Sequence, residues 1–375
     1  MKITDVEVIP LRIPEHNIEI ADGIQDDVIV RVHTDEGITG IGEADSSPLV
    51  VKALVEAWSS WPRCRGLREV LVGRNPMHVE QLWQEMQTAT LWLGRNGAAQ
   101  QAIAAIDIAL WDIVGKATGK PVHALLGAAY HERVRVYAST LFTEDPAEMM
   151  DVGEKYVERG FSAVKFGWGP MGRSLASDVK LVETARRAVG DGADLLVDAG
   201  CPYTAREAIQ RVHAFADYHP FWFEEALEGD DLDGYRQLSR ATRGEMRIAT
   251  GEQDCALNAF EALITHGEVD VIQPDVSRAG GFTECRRIML MAQRHHRLCV
   301  YHAWKSGILV AATLHMAAIT PDIPFAEYTV SESPLRRELV KVDTTLENGT
   351  ATIPQAPGLG VELDEEVLNK YRMDK

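Results

Sequence analysis

Three acidic residues stand at equivalent points of three successive apolar segments, and their spacing indicates a metal site. Asp198 ends LLVD, Glu224 follows FWF and Glu252 follows IATG, at intervals of 26 and 28 residues. Each segment has the length of a buried parallel strand, and each interval that of one strand–helix unit. A single acid at a strand end is usually a helix cap, but three in register on one rim of a barrel would repel one another. A bound cation removes that repulsion, and oxygen-only ligands favour Mg²⁺.

Four further residues end apolar segments of the same kind and have side chains suited to proton transfer or charge stabilisation. Asp275 and His302 fall on consecutive predicted strands, so Asp275 is placed to accept from one imidazole nitrogen and make the other more basic. This pair predicts a general base. Lys165 is expected to share the rim with the metal, and Glu327 to face the same mouth. Lys305 is a weaker candidate for local positive charge.

The elements that must position these residues form a quasi-repeat that begins near residue 133. Strands and helices alternate from there, and one helix is expected to start at Asp145-Pro146 and another at the capping-box pair Thr204 and Glu207. The predicted strand ends are Ser139, Lys165, Asp198, Glu224, Glu252, Asp275, His302 and Glu327. Eight such ends describe a closed α/β barrel whose chemistry lies at the C-terminal rim. The last strand has no clear barrel helix after it.

The residues before this repeat predict a separate α+β domain. Three segments alternate apolar and polar residues and predict an antiparallel meander, at 2–12, 27–34 and 39–44. Helical patterns follow at 48–60, 77–90 and 98–117. The tail contains a hairpin signal, Asn348-Gly349, and is expected to return to this first domain. The expected divisions are 1–130, 131–327 and 328–375.

Composition narrows the class of protein. The net charge of −18 disfavours nucleic acid and anionic membrane surfaces as partners. No run of about 18 apolar residues is present to span a bilayer. The five cysteines have no CxxC spacing, which favours a reducing compartment over a disulfide framework. We therefore expect a cytoplasmic enzyme, a homo-oligomer, that acts on a small molecule.

Taken together, these residues resemble the enolase superfamily, in its mandelate racemase subgroup, over essentially the whole chain. The resemblance rests on the ligand-like Asp198, Glu224 and Glu252, on the Asp275/His302 pair and on Glu327. The segments AIDIALWDIVGKATGKPVHALLG and QPDVSRAGG are similar to the family as well. The resemblance implies a (β/α)7β modified TIM barrel with an N-terminal α+β capping domain completed by the C-terminal tail. It also implies that residues 14–26 and the segment near Asp45–Pro48 close over the substrate.

The chemistry implied by this resemblance is removal of the proton α to a carboxylate, with Mg²⁺ stabilising the enediolate. The expected reaction is dehydration of an acid sugar, an aldonate or aldarate, to a 2-keto-3-deoxy acid. Cycloisomerisation of a sugar-acid lactone or anhydro sugar, or epimerisation, is the alternative. A non-catalytic sugar-acid binding protein is a third reading, but a binder needs no base.

The second barrel strand departs from a common pattern of the family. Many members carry Lys-x-Lys there, whereas this chain has Lys165-Phe166-Gly167. Side chains two apart on a strand face the same side, so Gly167 leaves the second position without a base. Lys165 then matches the first lysine, whose role by resemblance is to stabilise the enediolate. The expected site has one base, His302, and acts on one C2 epimer.

Overall fold

A three-stranded antiparallel sheet and five helices form the N-terminal part of the computed structural model, which describes residues 1–127, 129–242 and 244–373. The strands are β1 (Ile3–Arg12), β2 (Asp26–Thr34) and β3 (Thr39–Ala44). The helices are α1 (Pro48–Glu56), α2 (Leu67–Leu71), α3 (Val79–Ala89), α4 (Ala98–Thr118) and α5 (Val122–Leu125). Helix α4 packs closely on β3, and Gly40 permits this approach. A Cβ atom at that position would lie 2.0 Å from the carbonyl oxygen of Ala109. The predicted meander and its three helices are confirmed, whereas α2 and α5 carry too few turns to show a helical period.

Eight parallel strands, the first seven each followed by a helix, form the barrel. The strands are β4 (Arg133–Leu141), β5 (Ala163–Gly167), β6 (Asp194–Asp198), β7 (Trp222–Glu224), β8 (Arg247–Thr250), β9 (Val271–Ile272), β10 (Leu298–Cys299) and β11 (Ala326–Thr329). The helices are α6 (Pro146–Glu158), α7 (Leu175–Val189), α8 (Ala205–Phe215), α9 (Leu232–Thr242), α10 (Ala256–Thr265), α11 (Gly281–Arg294) and α12 (Gly307–Ile319). Strands β4 to β10 pair in chain order, and β11 returns beside β4. The (β/α)7β prediction is confirmed.

The predicted strand ends differ from the observed ones by two or three residues, except at Asp198 and Glu224, which end β6 and β7. Residues Ser139, Lys165 and Glu327 lie two positions before the ends of their strands. Residues Glu252, Asp275 and His302 lie two or three positions beyond theirs. A strand ends where its ladder of hydrogen bonds stops, and apolar patterning does not mark that point. A bridge between Asp275 and His302 nevertheless continues the pairing of β9 with β10 into the rim.

The C-terminal tail packs first on the barrel and then on the N-terminal sheet. It consists of α13 (Pro334–Arg337), β12 (Val340–Val342), β13 (Leu346–Glu347), β14 (Thr350–Thr352), β15 (Val361–Leu363) and α14 (Glu365–Tyr371). Asn348 and Gly349, both with positive φ, connect β13 to β14, and β14 pairs with β4. Arg372 then bridges to Leu11 of β1. The hairpin and the return to the sheet are confirmed, whereas the domain limits at 130 and 327 stay predictions.

Two sequence observations concern the whole molecule. The five cysteines are all free thiols. No helix within the described residues is long and apolar enough to cross a bilayer.

Candidate active site

Three carboxylates meet at the C-terminal rim of the barrel, as the strand order requires. Asp198 ends β6 and is the register partner of Glu224 at the end of β7, while Glu252 follows the next strand, β8. One oxygen of each lies within 4.8 Å of the others, and all three side chains are buried. Burial raises the pKa of Asp198 well above its ordinary value, and the negative charge of Glu224 adds to that rise. The cluster is therefore electrostatically unfavourable unless positive charge balances it.

The oxygen atoms of this three-carboxylate cluster fit a hard divalent cation. Glu252 Oε2 is buried and accepts no hydrogen bond from any described residue. Two hydrogen bonds hold the carboxylate of Glu224 in place. Its Oε1 accepts from Lys165 Nζ (2.6 Å), and its Oε2 accepts from the indole N–H of Trp222 (2.7 Å). Three carboxylates without nitrogen or sulfur ligands suit Mg²⁺, which also keeps positions for water and substrate. Asp198, Glu224 and Glu252 would hold the ion.

A histidine–carboxylate pair stands beside the cluster. His302 Nδ1 lies 2.7 Å from Asp275 Oδ2, while Asp275 Oδ1 accepts both the N–H and the O–H of Ser277. Asp275 is thus fixed by three contacts and in turn orients the imidazole. His302 Nε2 faces the cavity, 3.5 Å from Glu252 Oε2. This is the geometry of a base that is held by an acid.

The charges around His302 decide its protonation. Burial alone would lower the pKa of His302, but the negative charges of Glu252 and Glu327 outweigh burial and raise the pKa to about 10. A divalent cation at Glu252 would oppose this rise, because it would repel an imidazolium 3.5 Å from that carboxylate. A bound cation would thus favour neutral imidazole, the form that accepts a proton.

Lys165 is a fixed cation at the floor of the site. Its Nζ lies 2.6 Å from Glu224, 3.1 Å from Glu327 and 3.6 Å from Asp198. Burial alone would lower the pKa of Lys165, but the charges of Glu224 and Glu327 raise it well above its ordinary value. The ammonium of Lys165 therefore supplies positive charge at the floor of the site.

Glu327 joins Lys165 to the His302 loop. Its Oε2 accepts the N–H of Ala303, the residue after His302, at 2.7 Å. Burial raises the pKa of Glu327, but the positive charges of Lys165 and His302 outweigh it and lower the pKa to about 2. The carboxylate stays ionised and ties β11 to the histidine.

Gly167 lies two positions after Lys165 and lines the same cavity, as the strand period predicts. A Cβ atom at this position would lie 2.8 Å from Asp198 Oδ2. The backbone of β5 therefore runs so close to the three-carboxylate cluster that a larger residue would displace Asp198. The glycine both leaves this position without a side chain that could act as a base and makes room for the Asp198 carboxylate.

The rim encloses a cavity of about 210 Å³ between the barrel and the capping loop, residues 14–26. Ala21 and Gly23 of this loop line it, together with Leu141, Trp168 and Trp304 of the barrel. The loop is attached through Lys305, whose Nζ donates to the carbonyl oxygens of Gly23 (2.8 Å) and Asp26 (2.9 Å). Lys305 thus holds the loop. It is absent from the described lining of the cavity, where the sequence suggested it as a weaker source of positive charge.

Four residues at the site were missed by sequence reasoning or placed there only as part of a segment. Asp45 was expected only within a closing segment, and Arg278 only as part of QPDVSRAGG. The sequence pattern did not single out Trp168 or Trp304. Trp168 directly follows Gly167, and Trp304 comes two residues after His302. Each of the four lies in a loop, where side-chain direction has no fixed period.

Comparison with known proteins identifies the family to which the whole chain is similar. A family model for the mandelate racemase/muconate lactonizing enzyme N-terminal domain matches residues 3–127, and one described as enolase C-terminal domain-like matches residues 148–367. D-Galactarolactone cycloisomerase of Agrobacterium fabrum is 33% identical over 361 residues, which cover 92% of this chain and 91% of that protein. D-Gluconate dehydratase of Thermoproteus tenax is 31% identical over 358 residues, or 92% of this chain and 70% of that protein.

Solved structures are similar along the full length. The 3,6-anhydro-D-galactonate cycloisomerase from Zobellia galactanivorans superposes with a TM-score of 0.90 at 31% identity, covering 100% of both chains. A racemase from Streptomyces coelicolor A3(2) with bound magnesium has a TM-score of 0.87 at 29% identity, covering 99% of this chain and 100% of that one. The family and fold expected from sequence are confirmed.

Proposed function

Because the chain belongs to the mandelate racemase/muconate lactonizing enzyme group of the enolase superfamily, we propose that it is a Mg²⁺-dependent acid-sugar dehydratase. The observation that carries this proposal is the Asp275–His302 pair facing the same cavity as the three-carboxylate cluster. The matched relatives include dehydratases of gluconate, arabinonate and galactonate, which fits the expected reaction. The product is then a 2-keto-3-deoxy acid.

In this reaction His302 Nε2 removes the proton α to the substrate carboxylate. Asp275 keeps Nδ1–H directed at itself and stabilises the imidazolium that forms. Mg²⁺ held by Asp198, Glu224 and Glu252 would supply positive charge as negative charge develops on the substrate carboxylate. Lys165 adds a second positive charge from the barrel floor. The imidazolium of His302 then protonates the departing β-hydroxyl on its own side, and water leaves in a syn elimination. The resulting enol takes a proton at C3 and becomes the 2-keto-3-deoxy acid.

Cycloisomerisation is the second candidate, because it uses the same base and the same positive charges. Two similar proteins, from Agrobacterium fabrum and Zobellia galactanivorans, bear this activity in their names. Epimerisation is less compatible with the site, since it needs an acid and a base on opposite faces of the α-carbon. Gly167 provides neither, and Lys165 is held by three carboxylates.

The charges of the cavity favour a substrate with one carboxylate. Among the described residues that line it, Arg278 is paired with Asp45 and Glu252, and Lys165 with Glu224 and Glu327. Five further lining residues are apolar or neutral, namely Ala21, Gly23, Leu141, Trp168 and Trp304. A second carboxylate beside them would have no counter-ion. Aldonates, lactones and anhydro acids fit this lining better than aldarates.

Paired acids that differ only at C6 test both the reaction and this charge preference. We expect Mg²⁺-dependent dehydration of D-galactonate or D-gluconate to exceed that of galactarate or D-glucarate in kcat/KM by roughly 10-fold, or about 1.4 kcal/mol, because these partly exposed residues offer a second carboxylate no counter-ion. The measurement is 2-keto acid formation across a library of mono- and diacid sugars. Equal turnover of diacids would refute only the charge preference. No turnover of any acid sugar or its lactone would refute the proposed function.

The single base gives a stereochemical prediction. His302 follows β10, and Gly167 ends β5. On the shorter path around the barrel, β4 and β11 lie between these two strands, so the two residues are not on adjacent strands. We expect only one of two C2 epimers of a turned-over acid to exchange its α-proton in D₂O, followed by NMR at C2. Comparable exchange from both epimers would demonstrate a second base and contradict this prediction.

A further inference from the structure

Arg278 lies between a carboxylate of the N-terminal domain and a carboxylate of the metal cluster. Its Nε lies 3.0 Å from Asp45 Oδ2, and its Nη2 donates to the same oxygen. Its Nη1 donates to the backbone oxygen of Glu252 at 3.0 Å and only weakly to Glu252 Oε1, at 3.4 Å. Two of the three guanidinium nitrogens thus face Asp45, which is the residue directly after β3.

This arrangement leaves one oxygen of Glu252 available. Oε1 takes the weak contact from Arg278, while Oε2 is buried and accepts no hydrogen bond from the described residues. Arginine prefers to bind a carboxylate with two parallel N–H donors. Without the negative charge of Asp45, the same guanidinium would bind Glu252 in that way and compete with a cation for Oε2.

Asp45 is itself held by residues on both sides of the site. Lys305 Nζ lies 3.4 Å from Asp45 Oδ1 and also donates to two carbonyl oxygens of the capping loop. The Asp45 N–H donates to Ser277 Oγ at 3.2 Å, and Ser277 donates to Asp275 of the dyad. The side chain of Asp45 therefore contacts Arg278, the guanidinium next to the three-carboxylate cluster. Its backbone N–H contacts Ser277, which in turn holds Asp275 of the dyad.

We propose that Asp45 is a positioning residue that holds Arg278 away from Glu252 and so keeps Glu252 free to bind the metal ion. The metal site is complete only when the segment after β3 is docked on the barrel. The inference rests on the metal site of the proposed function but not on which acid sugar reacts. Asp45 acts through Arg278, and one of its carboxylate oxygens also lies within 4.8 Å of a ring nitrogen of His302.

The test is the affinity of the purified, metal-free protein for Mg²⁺ alone, by isothermal titration calorimetry. Asp45→Asn removes the charge and keeps the backbone N–H to Ser277. Residues that orient metal ligands typically change affinity 10–100-fold, so we expect Asp45→Asn to weaken Mg²⁺ binding by at least about 10-fold. Glu80→Gln is the matched control, because it breaks another ion pair between the N-terminal domain and the barrel, with Arg287, on the surface. We expect its affinity to equal that of the unchanged protein.

The double variant Asp45→Asn/Arg278→Gln tests the route through Arg278. Removing the competing guanidinium is expected to raise Mg²⁺ affinity more in Asp45→Asn than in the unchanged protein, a coupling that neither a structural role for Asp45 nor the loss of one positive charge would produce. If Asp45→Asn does not fold, as circular dichroism would show, Arg278→Gln alone serves instead. It removes the guanidinium that Asp45 holds away from Glu252, so Mg²⁺ affinity at least equal to that of the unchanged protein is expected.

The outcomes separate the inference from the proposed function. Affinity of Asp45→Asn within twofold of the unchanged protein would overturn the inference, as would a double variant that binds no better than the single one. If only Arg278→Gln is available, Mg²⁺ affinity more than twofold weaker than that of the unchanged protein overturns it. Absence of Mg²⁺ binding by the unchanged protein would overturn the metal site itself, and with it the proposed function.

Discussion

His302→Asn is expected to lower kcat by about 10²–10⁴-fold and to remove α-proton exchange in D₂O, because the proton acceptor is lost. The side chain is buried and contacts Asp275 at 2.7 Å, so Asn keeps a hydrogen-bonding group near that acid. Asp275→Asn is expected to have a smaller effect, since the imidazole remains but loses its orientation and part of its basicity. The measurements are turnover and exchange at saturating substrate, with the melting temperature as a check on folding.

A second histidine provides a matched control for this prediction. His33 of β2 also has a carboxylate neighbour, Glu7, at 3.5 Å, but it belongs to the N-terminal sheet and lies outside the described cavity lining. His33→Asn is expected to leave kcat unchanged. Activity close to that of the unchanged protein in His302→Asn would show that another residue is the base.

Glu224→Gln is expected to abolish Mg²⁺-dependent turnover and to weaken Mg²⁺ binding, while Glu225→Gln next to it changes both far less. Glu224 directs its carboxylate into the cluster, where it lies 2.6 Å from Lys165. Glu225 follows β7 with φ of 46° and turns away, so that its Oε2 accepts from Gln253 at 2.7 Å. A glutamine at position 225 keeps a hydrogen-bonding partner, whereas one at position 224 removes a negative charge from the ion.

Both variants are titrated with Mg²⁺, and binding is measured by calorimetry and turnover by an activity assay. The comparison is between two acids that are adjacent in sequence and equally buried. Both variants are checked for an unchanged circular dichroism spectrum. Equal losses in the two would contradict the assignment of Glu224 as a metal ligand. A loss in Glu225→Gln alone would place the ligand one residue later.

The general plan of the site follows from the sequence because a barrel repeats one unit. Strand–helix units of similar length put Asp198, Glu224 and Glu252 on successive strands, and the parallel register then brings their carboxylates within 4.8 Å. The same rule places Asp275 beside His302. Periodic apolar patterning determines which residues share the rim even when a strand ends two or three residues away from the expected point.

Only the tertiary structure decides which partners the side chains of distant segments contact. Lys165 was expected to stabilise the reacting carboxylate, and the structure adds that its ammonium is shared between Glu224 and Glu327, which fixes it at the barrel floor. Asp45 and Arg278, 233 residues apart, meet because the segment after β3 docks on the loop after β9. Loop side chains have no period from which their direction follows, and their partners depend on how two domains pack. The sequence alone therefore predicts which side chains share the rim of the barrel, while their pairing depends on the packed structure.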